Sequence, residues 1–171
     1  MKLCSPVTLL IQFGHNDAGP INTGKERAEL RGAGPESKVF KMQSTGRYHV
    51  VYTFGWYMRK FIMDAREKGA VPVLITHTPR NKFDNGFIES NTDSFGAWTK
   101  EVADAMGVVC IDLNTLAGQT LQHIADDEGL KKVNAHFKRD HTHSSILGAR
   151  LNASIVAEEL KKIIDGLQSR N

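Results

Sequence analysis

The chain has 171 residues, of which 40% are hydrophobic and 24% are charged, a balance that is ordinary for one globular domain and excludes a disordered, collagenous or coiled-coil chain. A net charge of +3, without a clustered basic face, does not indicate a nucleic-acid-binding protein. No apolar stretch approaches the roughly 20 residues of a membrane-spanning helix. From the charge and the apolar pattern together, we expect neither a nucleic acid nor a membrane as a partner.

Three short apolar runs are typical of strands that are buried in a parallel sheet. They comprise residues 7–13, 71–76 and 108–113. The first run leads directly into Gly14 with no small-residue cleavage site, so we interpret it as a strand and not as the core of a secretion signal.

Helical patterns follow or separate these runs, with apolar residues spaced at about 3.6 positions. The predicted helices cover residues 50–68, 92–105, 115–126 and 145–167. Strands that alternate with helices predict an α/β fold in which a parallel sheet is flanked by helices, here as a single domain over residues 1–171. The Gly-rich and charged segment 18–49 is predicted to be a long loop.

Polar and titratable residues concentrate where the predicted strands end and where the last helix begins. Ligands of open parallel sheets bind beyond the carboxyl ends of the strands, so these residues are the candidates for a functional site. They are Asn16 and Asp17 after the first strand, His77 and Arg80 after the second, and Asp140 and His143 before the last helix.

Asp140 and His143 have the spacing of a carboxylate that orients a catalytic histidine. On a turn entering a helix, a carboxylate three residues before a histidine can hydrogen-bond to Nδ1, fix the tautomer and leave Nε2 as a general base. The spacing equally allows Asp140 or Thr142 to cap the helix while His143 is solvated.

Asn16 follows a strand-end glycine, where a turn can direct its amide into a cleft. An amide NH₂ group suits an oxyanion hole because it stabilises developing negative charge without titrating. The alternative is an Asn-Asp turn that closes the strand through local hydrogen bonds.

Two motifs, Phe-Gly-His-Asn-Asp at 13–17 and Asp-His-Thr-His at 140–143, together resemble those of the SGNH hydrolase superfamily. Within it, the chain is similar to the rhamnogalacturonan acetylesterase group of carbohydrate esterases. Segments 53–60, 77–81 and 148–149 support the resemblance, which extends from about residue 7 to residue 165. It implies the flavodoxin-like, three-layer α/β/α fold of that superfamily.

The resemblance also implies a mechanism in which a serine attacks an acetyl carbonyl. It assigns the general base to His143, the orientation of that base to Asp140, and one oxyanion contact to Asn16. It places three further side chains on the substrate side: Asp17, His77 and Arg80. The implied substrate is acetylated pectic polysaccharide, and the chemistry needs neither a metal nor an organic cofactor.

The family's Gly-Asp-Ser motif, which carries the nucleophile, is absent from the 171 residues, and no Gly-x-Ser-x-Gly elbow replaces it. Ser5 lies at the wrong end of the first predicted strand, and Ser144 and Ser145 are expected to cap the last helix. We therefore expect the fold to lack its N-terminal strands, and the polypeptide to show little or no esterase turnover by itself.

Two other functions stay open. The chain could be a non-catalytic carbohydrate-binding or interaction module derived from such an esterase, or a metal-dependent hydrolase that uses His15, Asp17, His141 and His143. Without the family's nucleophile strand beside it, the first apolar strand is expected to form an exposed sheet edge. Two copies of the chain could associate through this edge, or a missing N-terminal piece could pair with it.

Overall fold

The computed structural model describes residues 7–24, 28–90 and 92–168. The chain divides into two compact units. The first unit comprises Met1–His77 and Asp93–Cys110, and the second comprises Thr78–Thr92 and Ile111–Asn171. The single domain over residues 1–171 stays a prediction.

Strands and helices alternate along much of the chain. The strands are β1 (Thr8–Ile11), β2 (Ser37–Lys41), β3 (Tyr48–Tyr52), β4 (Val71–Ile75), β5 (Phe83–Asp84), β6 (Phe87–Ile88) and β7 (Val109–Ile111). The helices are α1 (Phe54–Glu67), α2 (Phe95–Met106), α3 (Leu113–Glu128), α4 (Leu130–Asn134) and α5 (Ile146–Gln168).

The central sheet has the strand order β1-β4-β7, and β1 runs parallel to β4 with Leu10 opposite Val73. The predicted α/β fold with a parallel sheet and flanking helices is confirmed. The three strands lie within the three predicted apolar runs but are shorter. Within the described part of the chain, β1 forms one edge of this sheet.

The predicted loop over residues 18–49 is wrong in part, because the segment contains β2 and the beginning of β3. These strands pair antiparallel, with Val39 opposite Val50. The predicted first helix also began too early, at residue 50. Residues 48–52 are aromatic or β-branched apart from one histidine, which favours a strand, and α1 begins only after Thr53, whose hydroxyl accepts a hydrogen bond from the Trp56 N–H.

The core of the first unit forms where α1 and α2 pack on the sheet. Its fully buried side chains include Phe54, Met58 and Ile62 from α1 and Leu74 from β4. Burying each such side chain stabilises the fold by roughly 1.5–3 kcal/mol. This core supports the carboxyl ends of β1 and β4, which lead into Gly14 and His77.

The second unit has a smaller core, formed by Leu121 of α3, Val133 of α4 and Phe137, with Leu151 of α5 packed against it. Strands β5 and β6 form a tight hairpin in this unit. The Gln122 side chain fixes it to α3, since its amide accepts from the Ile88 N–H and donates to the Gly86 carbonyl. The hairpin and α4 were not predicted.

Candidate active site

The turn before α5 holds Asp140 and His143 in direct contact. Oδ2 of Asp140 lies 2.8 Å from Nδ1 of His143, and Oδ1 accepts hydrogen bonds from the backbone N–H groups of Thr142 and His143 at 2.9 and 2.8 Å. One carboxylate therefore fixes both the backbone of the turn and the ring that the turn carries. The side chains are 50% and 72% exposed, respectively, so Nε2 of His143 is accessible to a reactant.

The Asp140 carboxyl group is held in its ionised form. The hydrogen bonds from the backbone N–H of His143 and Thr142, and that from the His143 ring, lower the pKa of Asp140 well below its usual range. An ionised carboxylate can only accept hydrogen bonds. The proton in the pair therefore lies on Nδ1 of His143, and in the neutral ring Nε2 keeps its lone pair for accepting a proton.

In the first unit, Asn16 lies in a turn closed by the Asp17 N–H, which donates to the Gly14 carbonyl at 3.1 Å. Asn16 is exposed. Gly14 has φ +119°, and a Cβ there would overlap the His77 imidazole. A glycine is therefore required at the position that directs the chain from β1 into the Asn16 turn.

His77 is buried, with only 4% of its surface exposed. Its Nε2 hydrogen-bonds to the Phe13 carbonyl, and its ring stacks on His15 with the centroids 4.8 Å apart. A side chain so covered offers little surface, and the substrate-side role that the resemblance implies for His77 stays a prediction. In the structure, His77 contacts the Phe13 carbonyl and Gly14, directly before the turn that carries Asn16.

Asp17 forms a carboxyl pair with Glu29, a residue that the sequence analysis did not single out. The two side chains line a cavity of about 210 Å³ whose other walls include Phe13 and Phe61. Burial, the charge of Asp17 and a hydrogen bond to Asp17 raise the pKa of Glu29 to about 8, and burial also raises the pKa of Asp17. At neutral pH the pair therefore holds one proton, with Glu29 donating it to Asp17.

The remaining candidates lie in the second unit or outside the described residues. Arg80 is exposed just before Asn81. The Ser145 hydroxyl accepts a hydrogen bond from the Gly148 N–H and donates one to the Ala135 carbonyl. This is the expected arrangement for a residue that caps α5. Ser144 accepts from Asn152 at 3.3 Å, and Ser5 lies outside the described residues.

Among residues 7–24, 28–90 and 92–168, no three His, Cys, Asp or Glu side chains are grouped so that they could hold a metal ion. Over the same ranges, each helix is too short or too polar to cross a bilayer.

No family model matches the chain, but individual proteins do. It is 26% identical over 156 residues to the rhamnogalacturonan acetylesterase of Emericella nidulans. Two Bacillus subtilis proteins are also similar: the probable rhamnogalacturonan acetylesterase YesY is 31% identical over 163 residues, and the rhamnogalacturonan acetylesterase RhgT is 32% identical over 167 residues.

Each alignment covers 91% of this chain and 60–62% of the relative, so the chain spans about three-fifths of the length of these relatives. Among solved structures, the Bacillus subtilis protein YxiM is similar, with a TM-score of 0.54 and 26% identity over 61% of this chain and 29% of YxiM. These comparisons confirm the family resemblance that the two motifs indicate: over most of its length, the chain is similar to rhamnogalacturonan acetylesterases.

Proposed function

We propose that the chain supplies the general base, the orienting carboxylate and one oxyanion donor of a carbohydrate ester hydrolase that removes acetyl groups from pectic polysaccharide such as rhamnogalacturonan. The observation that carries the proposal is the 2.8 Å contact between Asp140 Oδ2 and His143 Nδ1. It fixes the tautomer in which Nε2 is free to accept a proton. The names of the curated relatives support the reaction and the class of substrate.

In this reaction a serine hydroxyl attacks the acetyl carbonyl carbon while Nε2 of His143 takes the hydroxyl proton. The tetrahedral intermediate then expels the sugar oxygen, which receives that proton. Water, activated by the same nitrogen, releases acetate and restores the serine. Asp140 stays ionised throughout and stabilises the imidazolium form of His143.

The Asn16 amide is proposed to donate to the carbonyl oxygen as its negative charge develops. Each such donor is worth roughly 10²–10³ in rate. His77 is proposed to border the substrate side, as the resemblance implies, and to support the Gly14 turn that leads into Asn16 through its hydrogen bond to the Phe13 carbonyl. Asp17 and the exposed Arg80 are proposed to contact substrate, Arg80 by pairing with a uronate carboxylate.

The 171 residues contain no Gly-Asp-Ser, so we expect this polypeptide alone to turn over esters slowly. A Ser-His-Asp site without its nucleophile retains about 10³–10⁴-fold catalysis over water through binding and the oxyanion hole. The second candidate function is a carbohydrate-binding module that retains the site without its chemistry.

The test is acetate release from acetylated rhamnogalacturonan and from p-nitrophenyl acetate, by the 171-residue polypeptide and by a fusion with a relative's Gly-Asp-Ser segment ahead of Val7. Each is compared with its His143→Ala variant. Release by the fusion that disappears in His143→Ala supports the esterase. An inactive fusion that still binds the polysaccharide supports the binding module, and release that is indifferent to His143 contradicts both.

The exposed edge of the sheet supports one further proposal, self-association of two copies through β1. Charged residues and prolines usually prevent edge-to-edge pairing of strands, and β1 contains neither. Two antiparallel β1 strands around a two-fold axis would bury the exposed Leu9 and Leu10.

A further inference from the structure

The turn that carries Asp140 and His143 is closed by backbone hydrogen bonds at its base. The Lys138 N–H donates to the His143 carbonyl at 2.7 Å, and the His141 N–H donates back to the Lys138 carbonyl at 3.0 Å. Between them, His141 adopts a left-handed conformation with φ +58°. This conformation is energetically unfavourable for a residue other than glycine unless neighbouring contacts stabilise it.

Asn81 contacts His141 with both its backbone and its side chain. Its N–H donates to the His141 carbonyl at 2.8 Å. Its side-chain amide nitrogen lies 2.8 Å from His141 Nδ1 and 2.7 Å from Asn134 Oδ1. The amide nitrogen of Asn81 donates to both atoms, so Asn134 Oδ1 and His141 Nδ1 are acceptors. This fixes the orientation of the Asn81 amide, and it requires the His141 tautomer that carries its proton on Nε2.

We propose that Asn81 is a positioning residue for the Asp140–His143 pair: it holds His141 in the left-handed conformation and thereby fixes the turn on which the base is presented. The inference depends on the proposed function only because it takes His143 to be the general base. Nothing in the resemblance or in the relatives' names assigns a role to Asn81.

The link from Asn81 to the base runs through consecutive backbone units. His141 lies between Asp140 and Thr142, and the Thr142 and His143 N–H groups both reach Asp140 Oδ1. If His141 leaves the left-handed region, these N–H groups rotate away from the carboxylate, and the ring of His143 moves with them. Displacement of a catalytic group by about 1 Å can cost 10²-fold in rate, so a contact remote from the reacting atoms can matter to the reaction.

The test is a long-range ¹H–¹⁵N spectrum of the histidine side chains in the 171-residue polypeptide, recorded near pH 8, above the usual histidine pKa of about 6.5. Three variants are compared with the parent chain. Asn81→Ala removes the donor, and Asn81→Asp replaces it by a group that only accepts. Gln122→Ala is the control, because it removes three side-chain hydrogen bonds in the same unit without touching the turn.

In the parent chain and in Gln122→Ala, we expect His141 Nδ1 to resonate as an unprotonated nitrogen. In Asn81→Asp the proton should move to Nδ1, which a general loss of stability would not produce. In Asn81→Ala the two tautomers should mix, and the Thr142 and His143 amides should exchange with solvent about tenfold faster or more, since tenfold corresponds to about 1.4 kcal/mol.

The same His141 nitrogen shifts in all four chains would overturn the proposal, and so would equal amide exchange in Asn81→Ala and Gln122→Ala. The readout does not depend on ester hydrolysis. A failure of the esterase proposal in the acetate assay is therefore distinguishable from a failure of this one. If Asn81→Ala does not fold, Asn81→Asp, which is nearly isosteric, still gives the tautomer result.

Discussion

The carboxyl group of Glu29 donates a hydrogen bond to that of Asp17 within the first unit. Because burial raises the pKa of both groups, the folded chain holds a proton there that the unfolded chain releases above about pH 4.5, the ordinary Glu pKa. The pair thus makes the stability of the first unit depend on pH in a direction opposite to that of an ordinary salt-bridged carboxylate.

The stability contribution of the protonated pair is fully present below the unfolded pKa of 4.5 and is lost as pH rises towards the folded pKa of about 8. We expect the free energy of unfolding in urea to fall between these values. Glu29→Gln, which keeps a donor for Asp17 and cannot ionise, should flatten that fall, whereas Glu36→Gln should not. An equal slope in both variants would contradict the shared proton.

Asp140→Asn tests the tautomer of the proposed base. The asparagine oxygen can still accept from the backbone N–H groups, but its NH₂ group now faces Nδ1 and requires an unprotonated nitrogen there. The proton should move to Nε2 of His143, in the same type of spectrum that tests Asn81. In an active fusion, acetate release should fall by about 10⁴-fold, as the corresponding change does in a Ser-His-Asp triad. A His143 that keeps its proton on Nδ1 would contradict the assigned pair.

Gly148 in the first turns of α5 allows the helix to approach the residues that lead into the Asp140 turn. An added Cβ would overlap the His136 carbonyl oxygen, whereas a Cβ at Gly166, on the same helix, would meet no atom within 4 Å. Gly148→Ala should therefore destabilise the chain by about 1–3 kcal/mol through overpacking. Gly166→Ala should stabilise it by up to about 1 kcal/mol through helix propensity. Thermal unfolding of both variants measures the difference, and equal shifts would show that the close approach does not matter.

Arg80→Ala tests contact with an acidic sugar. Loss of a solvent-exposed, charge-assisted hydrogen bond should weaken binding of rhamnogalacturonan by about three- to tenfold, since tenfold corresponds to 1.4 kcal/mol. Arg150→Ala, an exposed arginine on α5, is the matched control for net charge. Calorimetric titration of the oligosaccharide compares the two, and equal affinities would remove Arg80 from the proposed site.

Much of the fold could be predicted because it depends on local patterns. The runs that became β1, β4 and β7 are apolar on both faces, and the helices show regular apolar spacing. The hairpin of β5 and β6 was missed although its turn, Asn85-Gly86, is a strong hairpin signal. Its two strands have only two residues each, too few to show an alternating pattern.

In the candidate site, too, contacts between residues close in sequence could be predicted, whereas contacts between distant residues could not. The contact of Asp140 with His143 follows from a spacing of three residues on a turn, which the sequence displays directly. The contact of Asn81 with His141 spans 60 positions, and no local pattern indicates it. Likewise, the burial of His77 results from the packing of Phe54 and Phe95 around it, which only the assembled first unit reveals.

Self-association through β1 makes a prediction that a matched pair of variants can test. If two copies pair along this edge, light scattering should show a dimer fraction that rises with concentration. Leu10→Lys should abolish the dimer, because the ammonium group would be buried beside the partner strand. Val39→Lys is the control, since Val39 is also an exposed aliphatic residue on a strand, β2, but lies outside the proposed interface. A monomer at every concentration, or a dimer that survives Leu10→Lys, would contradict pairing through β1.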